Sequence, residues 1–216
     1  MSHKKKGPKL IERAKALWFS TPLENFKQGL LGQMIRLRNP ERYKHLKEIR
    51  PSRRLLVQQK KKLIAKVETA LNQAGITPIK FFVRIKTLGS LNRKEKYAST
   101  MNLQDPQEYL KEDFLGLTIL VKTKQECYAA INALKKTGEF PQLKDRKNPR
   151  DYFEKPAKSR GTSDIMENLL TGNLLVKELF PIHVMVFTKE SFIHTRARRG
   201  IYKKDMAKKI KAAGKQ

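Results

Sequence analysis

The chain contains little cysteine, little acid and no long apolar run. Cys127 is the only cysteine among 216 residues, which excludes a disulfide framework or a cysteine metal site within one chain. The four histidines show no metal-ligand spacing, so a zinc site is not expected. No apolar stretch of about 18 residues could span a bilayer, and no signal-like apolar core follows the basic N-terminus. These absences predict a cytoplasmic protein.

The shortage of acid leaves a large positive charge. Lys and Arg number 48 against 20 Asp and Glu, which gives a formal net charge of +28. Self-repulsion on this scale destabilises a compact chain unless a polyanion neutralises it, and the positive field attracts nucleic acid. We therefore expect RNA or DNA as a partner, ahead of a membrane surface. The apolar fraction of 39% is sufficient to bury a core.

Periodicity predicts an α+β fold in which helices precede a mixed central sheet flanked by helices. Residues 1–9 read as a basic leader, 10–52 as an N-terminal helical region, 53–203 as the main domain and 204–216 as a basic tail. Helical spacing is strongest between Ser52 and Gly75, and it recurs from 124 to 136. Strands are predicted at 79–86, 114–121, 165–176 and 182–188, the last two paired, with a loop at 140–162 and a basic helix from 190.

The first candidate site runs from the strand at 79–86 into the next helix. It contains five donors in order: Arg84, Lys86, Ser90, Arg93 and Lys94. Arg and Lys on one strand face and on the following helix turn can supply clustered donors to phosphate. A solvated basic face is the competing interpretation, and the spacing alone favours neither.

Three further segments follow in order. The first, residues 112–118, places Asp113 at a strand start, where a carboxylate can reach a magnesium ion. The next, residues 150–161, carries Lys158 and Gly161 in a basic loop, and the last, residues 182–188, alternates apolar residues with His183, Met185 and Phe187.

Taken together, roughly Leu55 to Lys203, these segments resemble the synthetase domain of RelA/SpoT alarmone enzymes. The resemblance implies a RelA/SpoT nucleotidyltransferase-like fold, with Mg²⁺ on Asp113. It also implies nucleotide phosphates on the residues Arg84, Lys86, Ser90, Arg93, Lys94, Lys158 and Gly161. Active members move pyrophosphate from ATP to the 3′-hydroxyl of GDP or GTP, and some relatives modify the 3′ end of tRNA.

The chain departs from the family pattern at functional positions. Thr118 replaces an Arg, and Thr162 replaces the Tyr that stacks on the acceptor guanine. His183 replaces the Glu that assists magnesium and the attacking hydroxyl, while Met185 and Phe187 replace Gln and Arg. Imidazole can act as a base but is a poor ligand for hard Mg²⁺. Packing surface is the simpler interpretation of this strand face.

Two functions from different classes follow. The favoured hypothesis is a degenerate, synthetase-like domain kept as a binder of transfer or ribosomal RNA, because only one of two metal carboxylates can be placed. Glu178 or Glu190 is the alternative for the second carboxylate. The hypothesis assigns nucleic-acid contacts to Lys147, Arg150, Tyr152, Lys155, Arg160, Arg196, Arg198, Arg199, Lys203 and Lys204. Tyr152 either stacks on a base or anchors its loop.

The alternative is an active pyrophosphokinase that uses ATP and Mg²⁺ at Asp113, with His183 as the base. ATP and Mg²⁺ are expected only if this activity is retained. Nonspecific DNA packaging by a basic protein is a third hypothesis.

Overall fold

A computed structural model describes residues 30, 32–100, 110, 114–141, 148–158, 165–166, 169–193 and 195. Residues 32–38 and 189–193 are helical. The helices between them are α1 (Pro40–Ile49), α2 (Arg53–Gln73), α3 (Leu88–Thr100) and α4 (Lys124–Lys135). The strands are β1 (Lys80–Ile85), β2 (Leu115–Val121), β3 (Arg150–Asp151), β4 (Ala157–Lys158), β5 (Ile165–Met166), β6 (Leu169–Leu174) and β7 (Ile182–Thr188).

The longest helix, α2, begins and ends as the sequence predicts. The Ser52 hydroxyl accepts a hydrogen bond from the backbone N–H of Leu55 at 3.2 Å, which satisfies one of the free donors of the first turn. Gly75 follows the helix with a φ of 67°, a conformation that glycine adopts without steric cost. A continuous apolar stripe between these ends then packs against the sheet: Leu56, Leu63, Val67 and Leu71.

Five strands form one mixed sheet in the order β1-β2-β7-β6-β3. The pairing of β2 with β7 is parallel, whereas the β1–β2, β6–β7 and β3–β6 pairs are antiparallel. The predicted α+β class with a mixed central sheet is confirmed, as is the predicted pairing of the last two long strands.

One face of this sheet carries the main core. Directly paired residues project to the same side of a sheet, so Val83, Leu117 and Val184 form one apolar row across three strands. All three are buried in the same cluster as the apolar residues of α2 and α4. We call this side the core face, and the opposite side the distal face.

Helix α4 covers the core face beside α2. Its start is a capping box, in which the Thr123 hydroxyl accepts from the Glu126 N–H and the Glu126 carboxylate accepts from the Thr123 N–H. Cys127, at 0% exposure, lies in its buried stripe. Desolvation raises the pKa of this thiol to about 12.

Two sequence-based boundaries differ from the structure. The segment 140–162 was expected to be a loop, yet it contains β3 and β4, and the strand expected at 165–176 is divided into β5 and β6. β4 and β5 form a separate two-stranded ribbon. Strands of two residues are too short for an alternating pattern, so they depend on backbone pairing with a neighbour.

Two further expectations concern the ends of the chain. The helices predicted within 10–38 and from 190 onward fall largely outside the described residues. No helix in the described part of the chain is long and apolar enough to cross a membrane.

Candidate functional site

The distal face is organised in rows that run across the sheet. Strand pairing places Arg84 opposite Gly116, Gly116 opposite His183, and His183 opposite Asn173. Because paired side chains share a face, β1 and β7 direct a cation and an imidazole to the same row. The structure therefore brings together two residues that the sequence assigned to separate motifs.

Gly116 makes room for the Arg84 side chain. A Cβ atom placed on this glycine would lie 3.3 Å from Arg84 Nε and 3.8 Å from the carbonyl oxygen of His183. The Arg84 side chain thus extends from β1 over β2 toward β7. It occupies space that a side chain at position 116 would reduce. A glycine inside a strand often marks such a close approach.

A buried hydroxyl fixes the orientation of His183. Thr171 Oγ1 donates to the carbonyl oxygen of Val184 at 2.8 Å, which uses its single proton. His183 Nε2 lies 3.3 Å from Thr171 Oγ1. Because the Thr171 proton is already donated to Val184, Nε2–H must be the donor in this second contact. The imidazole is then in its Nε2–H form when neutral, and Nδ1 is the nitrogen that can accept a proton.

Helix α3 continues the basic segment. Thr87 caps it, since its hydroxyl accepts from the backbone N–H of Ser90 at 3.3 Å. Ser90 lies three and four residues before Arg93 and Lys94, so these three side chains share one helix surface. The predicted phosphate-binding residues of the first motif thus lie on the end of β1 and the first two turns of α3.

A buried ion pair fastens α3 to the N-terminal region. Glu95, at 5% exposure, forms an ion pair with Arg42 of α1, whose Nη2 lies 2.7 Å from Glu95 Oε2, and its Oε1 lies 3.4 Å from His45 Nε2. Arg42 Nε also donates to Asn92 Oδ1 at 3.2 Å. Helix α1 therefore positions the helix that carries Arg93 and Lys94.

Asn148, two residues before β3, binds the backbone of β6 through its side-chain amide. Asn148 Oδ1 accepts from the backbone N–H of Asn173 at 3.0 Å, and its Nδ2 donates to the carbonyl of the same residue at 3.0 Å. Gly172 permits this approach, because a Cβ there would lie 2.3 Å from Asn148 Oδ1. These two hydrogen bonds align the following strand, β3, with the edge of the sheet at β6.

Arg150 on β3 and Tyr152 in the turn after it belong to the distal face. Arg150 pairs with Thr171, and its Nη1 donates to the Tyr152 hydroxyl at 3.0 Å. The Tyr152 ring is 6% exposed and packs with Leu120, Leu169 and Phe187. Its packing supports the loop-anchor interpretation of Tyr152, with Arg150 held half-buried at its hydroxyl.

Asp151 performs a structural role on the core side of the same strand. Its Oδ1 accepts from the backbone N–H of Phe153 at 2.9 Å, and its Oδ2 accepts from the Tyr128 hydroxyl at 2.7 Å. Desolvation, followed by this hydrogen bond, raises the pKa of Tyr128. Lys124 Nζ lies 5.5 Å from the Phe153 ring centroid and 5.6 Å from that of Tyr128. This carboxylate is consequently engaged in fixing the turn.

The far end of the distal face is apolar. Phe187 is 2% exposed and meets the Phe192 ring edge-on at a centroid distance of 5.6 Å. Phe192 makes a similar contact with Phe82 at 6.4 Å, and Met185 packs against the same cluster. Two of the three residues that replace the polar family positions on β7 are thus packing residues.

Many residues of the predicted site lie outside the described part of the chain. These are Asp113, Lys147, Arg160, Gly161, Arg196, Arg198, Arg199, Lys203 and Lys204. For Lys158 the backbone is described, and it pairs with Ile165 in the β4–β5 ribbon. Lys155 follows β3 and is exposed.

The described residues of the distal face fit phosphate and do not fit a magnesium ion. The charged side chains among them are three cations, Lys80, Arg84 and Arg150. The described residues of this face include no Asp or Glu. Within the described ranges no group of three His, Cys, Asp or Glu could hold a metal ion. Arg is well suited to phosphate oxygens, whereas Mg²⁺ requires oxygen ligands.

Sequence reasoning gave no role to four residues that shape this site: Gly116, Asn148, Thr171 and Glu95. A glycine in the middle of a strand is a usable signal for Gly116. For the other three, the partners are 13 to 53 residues away in sequence or lie on other elements, so no local pattern could reveal them.

Comparisons with known proteins give only structural likenesses. No protein-family model matches the chain, and no curated protein matches it. Small alarmone synthetase 1 from Bacillus subtilis superposes with a TM-score of 0.47 at 15% identity, covering 74% of this chain and 85% of that one. The same enzyme bound to its product pppGpp gives 0.43 at 16% identity over 76% and 87%.

A GTP pyrophosphokinase family protein from Streptococcus pneumoniae also gives 0.43 at 16% identity, over 74% of this chain and 82% of that one. The structures found are thus of the kind that the four motifs resemble.

Proposed function

We propose that this chain is an RNA-binding protein built on a degenerate RelA/SpoT synthetase-like fold, without normal alarmone synthesis. One observation carries the proposal: the described distal face presents cations from β1 and β3 and has no carboxylate. Such a surface attracts phosphate, whereas Mg²⁺ would need carboxylate oxygens, and the predicted metal ligand Asp113 lies outside the described residues.

The polar end of the distal face is the proposed contact surface. Arg84 reaches across Gly116, and Arg93 and Lys94 extend the same basic segment along α3. Arg150 adds a fourth cation from the opposite sheet edge. Cations from separate elements can follow a phosphate backbone.

Transfer or ribosomal RNA fits this surface better than DNA. A-form RNA is recognised mainly through its shape and backbone, and single-stranded ends add unstacked bases. The half-buried Phe82 and Met185 lie in the row next to Arg84, so an apolar contact is available beside the cations.

Binding of deacylated tRNA as a function of salt tests the proposal. Between about 50 and 200 mM salt, affinity should fall on the order of a thousandfold if six to ten phosphates are contacted. The Arg84→Gln/Arg93→Gln variant should weaken binding and reduce the salt slope by about 1.4 to 1.8.

Lys122→Gln/Lys189→Gln is the matched control, because it removes the same charge from two exposed positions at the other ends of β2 and β7. Equal losses in both variants would show a diffuse field in place of a distal-face site. A weak salt response would contradict backbone binding altogether.

His183 favours one second candidate, a retained pyrophosphokinase. Its Nε2–H is held by Thr171 and its Nδ1 is buried, so Nδ1 could act as the base toward a 3′-hydroxyl only after the ring turns or the site opens. ATP and Mg²⁺ would then be required, with Asp113 as the metal ligand. Incubation with labelled ATP, Mg²⁺ and GDP, GTP or deacylated tRNA tests this candidate. Transfer that Asp113→Asn abolishes would establish the enzyme, whereas tRNA binding without transfer supports the RNA-binding function.

A further inference from the structure

Helix α2 presents a second basic surface, on the side of the molecule away from the distal face. Its apolar stripe packs on the core face, so the opposite side of the helix is directed outward. Four exposed cations lie on that outward side, and we call them the α2 surface: Arg54, Lys61, Lys62 and Lys66.

Charge is concentrated on this helix beyond the general basicity of the chain. Helix α2 has six Lys or Arg against one acid, Glu68, an excess of five. The excess is one over ten residues in α1, two over 13 in α3 and one over 12 in α4, against five over 21 in α2. Per residue, α2 therefore has the largest excess of these four helices.

Among the described residues, acidic side chains neutralise these cations very little. Within the described ranges, Lys62 has the only acidic partner of the four, Glu178, at 4.0 Å with both side chains largely exposed. An exposed pair at this distance contributes little. Holding like charges together on one helix is unfavourable, so an external polyanion would relieve the repulsion.

A shallow groove continues the surface toward α4. It has a volume of about 390 Å³, and its polar lining includes Lys66, Thr69, Lys136 and Thr137. Two carbonyls in the last turn of α4 are bonded, since Thr137 Oγ1 donates to Leu134 O at 2.8 Å and the Lys136 N–H donates to Ala133 O at 3.1 Å. The charged side chains of the groove are Lys66 and Lys136, so an anion there would contact lysine.

The shape of the surface suits a phosphate backbone. Arg54 and Lys66 are twelve residues apart, which is about 18 Å along a rigid helix. Helix α2 contains no aromatic residue, so it has no platform for stacking on bases. Contact with phosphates through point charges is the chemistry that it offers.

Other partners fit less well. A protein interface requires an apolar centre, and the middle of the α2 surface is Ala65 between lysines. A membrane-bound amphipathic helix must insert its apolar side, but that side of α2 is buried in the core. A folded RNA, by contrast, presents duplex and unpaired segments together and can engage two surfaces at once.

We infer that the α2 surface is a second RNA site, which binds the phosphate backbone of an RNA duplex. The sheet and the helix, itself about 10 Å thick, separate it from the distal face. One RNA strand segment cannot contact both sides, so the two surfaces hold different segments of the same molecule. The second contact is then intramolecular and raises the overall affinity.

The test neutralises the α2 surface in the full chain with Arg54→Gln, Lys61→Gln, Lys62→Gln and Lys66→Gln. Glutamine is a good helix former, and circular dichroism and the urea midpoint confirm folding. A blunt RNA duplex of about 20 base pairs is the probe, together with tRNA. We expect at least a tenfold loss of duplex affinity and a salt slope lower by about three to four.

The matched control removes the same charge from four other exposed positions: Arg36, Arg38, Lys122 and Lys189. It should leave duplex affinity within about threefold of the original chain. Equal losses in the two quadruple variants, or no loss in the α2 variant, would overturn the inference. A DNA duplex with as many phosphates that binds as tightly as tRNA would overturn the assignment to RNA.

The distal-face site and the α2 site can each be disproved independently of the other. If Arg84→Gln/Arg93→Gln leaves tRNA binding unchanged while the α2 variant loses duplex binding, the proposed distal-face function fails and the α2 inference stands. If only the distal-face variant weakens both probes, the α2 inference fails.

Discussion

The two faces of the same sheet have opposite character, and strand β7 shows this within seven residues. Ile182, Val184 and Val186 point to the core face, and each is 0% exposed. The alternate residues point to the distal face, where His183 is half-buried and Phe187 belongs to a separate small cluster. One strand therefore contributes to stability on one side and carries the candidate site on the other.

The difference teaches where substitutions should act. On the core face, apolar residues from α2, α4 and four strands fill one cluster, so volume changes there are felt by the whole fold. On the distal face, Arg84 and His183 depend on Gly116 and Thr171 for their positions. Changes there should alter binding more than stability.

The largest expected effect is on the core face. Leu63 is 1% exposed in the centre of the α2 stripe. Leu63→Ala should lower the free energy of unfolding by about 2–5 kcal/mol through lost burial and a cavity, measured by urea unfolding. RNA affinity per folded molecule should not change, and a specific loss of affinity at temperatures where the variant is folded would break the separation of the two faces.

The next effect concerns the link between α1 and α3. Arg42→Ala leaves Glu95 buried without its 2.7 Å partner, so stability should fall by about 2 kcal/mol. Lys62→Gln removes an exposed pair at 4.0 Å and should cost less than about 0.5 kcal/mol. Urea unfolding of both variants measures the difference in stability lost. In Arg42→Ala/Glu95→Gln the unpaired charge is also removed, so part of the stability should return. Equal losses in Arg42→Ala and Lys62→Gln would contradict a buried role for Glu95.

A smaller effect is expected on the distal face itself. Gly116→Ala places a Cβ 3.3 Å from Arg84 Nε, so the guanidinium must shift. We expect tRNA affinity to fall about threefold, with a change in unfolding free energy of less than about 1 kcal/mol. In the Arg84→Gln background the same substitution should have no further effect on affinity, and an undiminished loss there would show that Arg84 is not the residue displaced.

The smallest expected effect is on the pH dependence of the unfolding free energy, which reports the burial of Cys127 on α4. The pKa of Cys127 is raised by burial to about 12 from an ordinary value of 9.0. The unfolded thiol therefore ionises first, so this contribution to stability is complete below pH 9 and declines between pH 9 and 12.

At pH 9.5 the decline should be less than about 1 kcal/mol, and it should be absent from Cys127→Ala. Urea unfolding of both proteins at pH 7.5 and 9.5 gives the difference. Rapid reaction of the native thiol with a disulfide reagent at pH 8 would contradict the buried position.

The predictable part of the fold had local causes. The Ser52 cap, the apolar stripe of α2 and Gly75 placed that helix almost to the residue. Alternation likewise placed β1 and β7, and a short apolar run placed β2. The short strands β3, β4 and β5 have no such pattern, since they exist through pairing with distant segments.

The candidate site was predictable only as a set of residue types. The order of the motifs suggested phosphate binding at Arg84 and Arg93, but the sequence could not show that Gly116 opens the space between Arg84 and His183. Nor could it show that Tyr152 is enclosed by a second apolar cluster, because that cluster is assembled from three strands, the turn after β3 and the helix at 189–193.

The sequence by itself determined the large positive charge, the helix and strand pattern and the alternation that gives β7 two unlike faces. These properties follow from composition and from the fixed periods of helix and strand. Only the tertiary structure decided which face carries the core, which cations share a row, and that α2 directs its lysines away from that row. Those outcomes depend on strand register and helix packing between segments far apart in the chain.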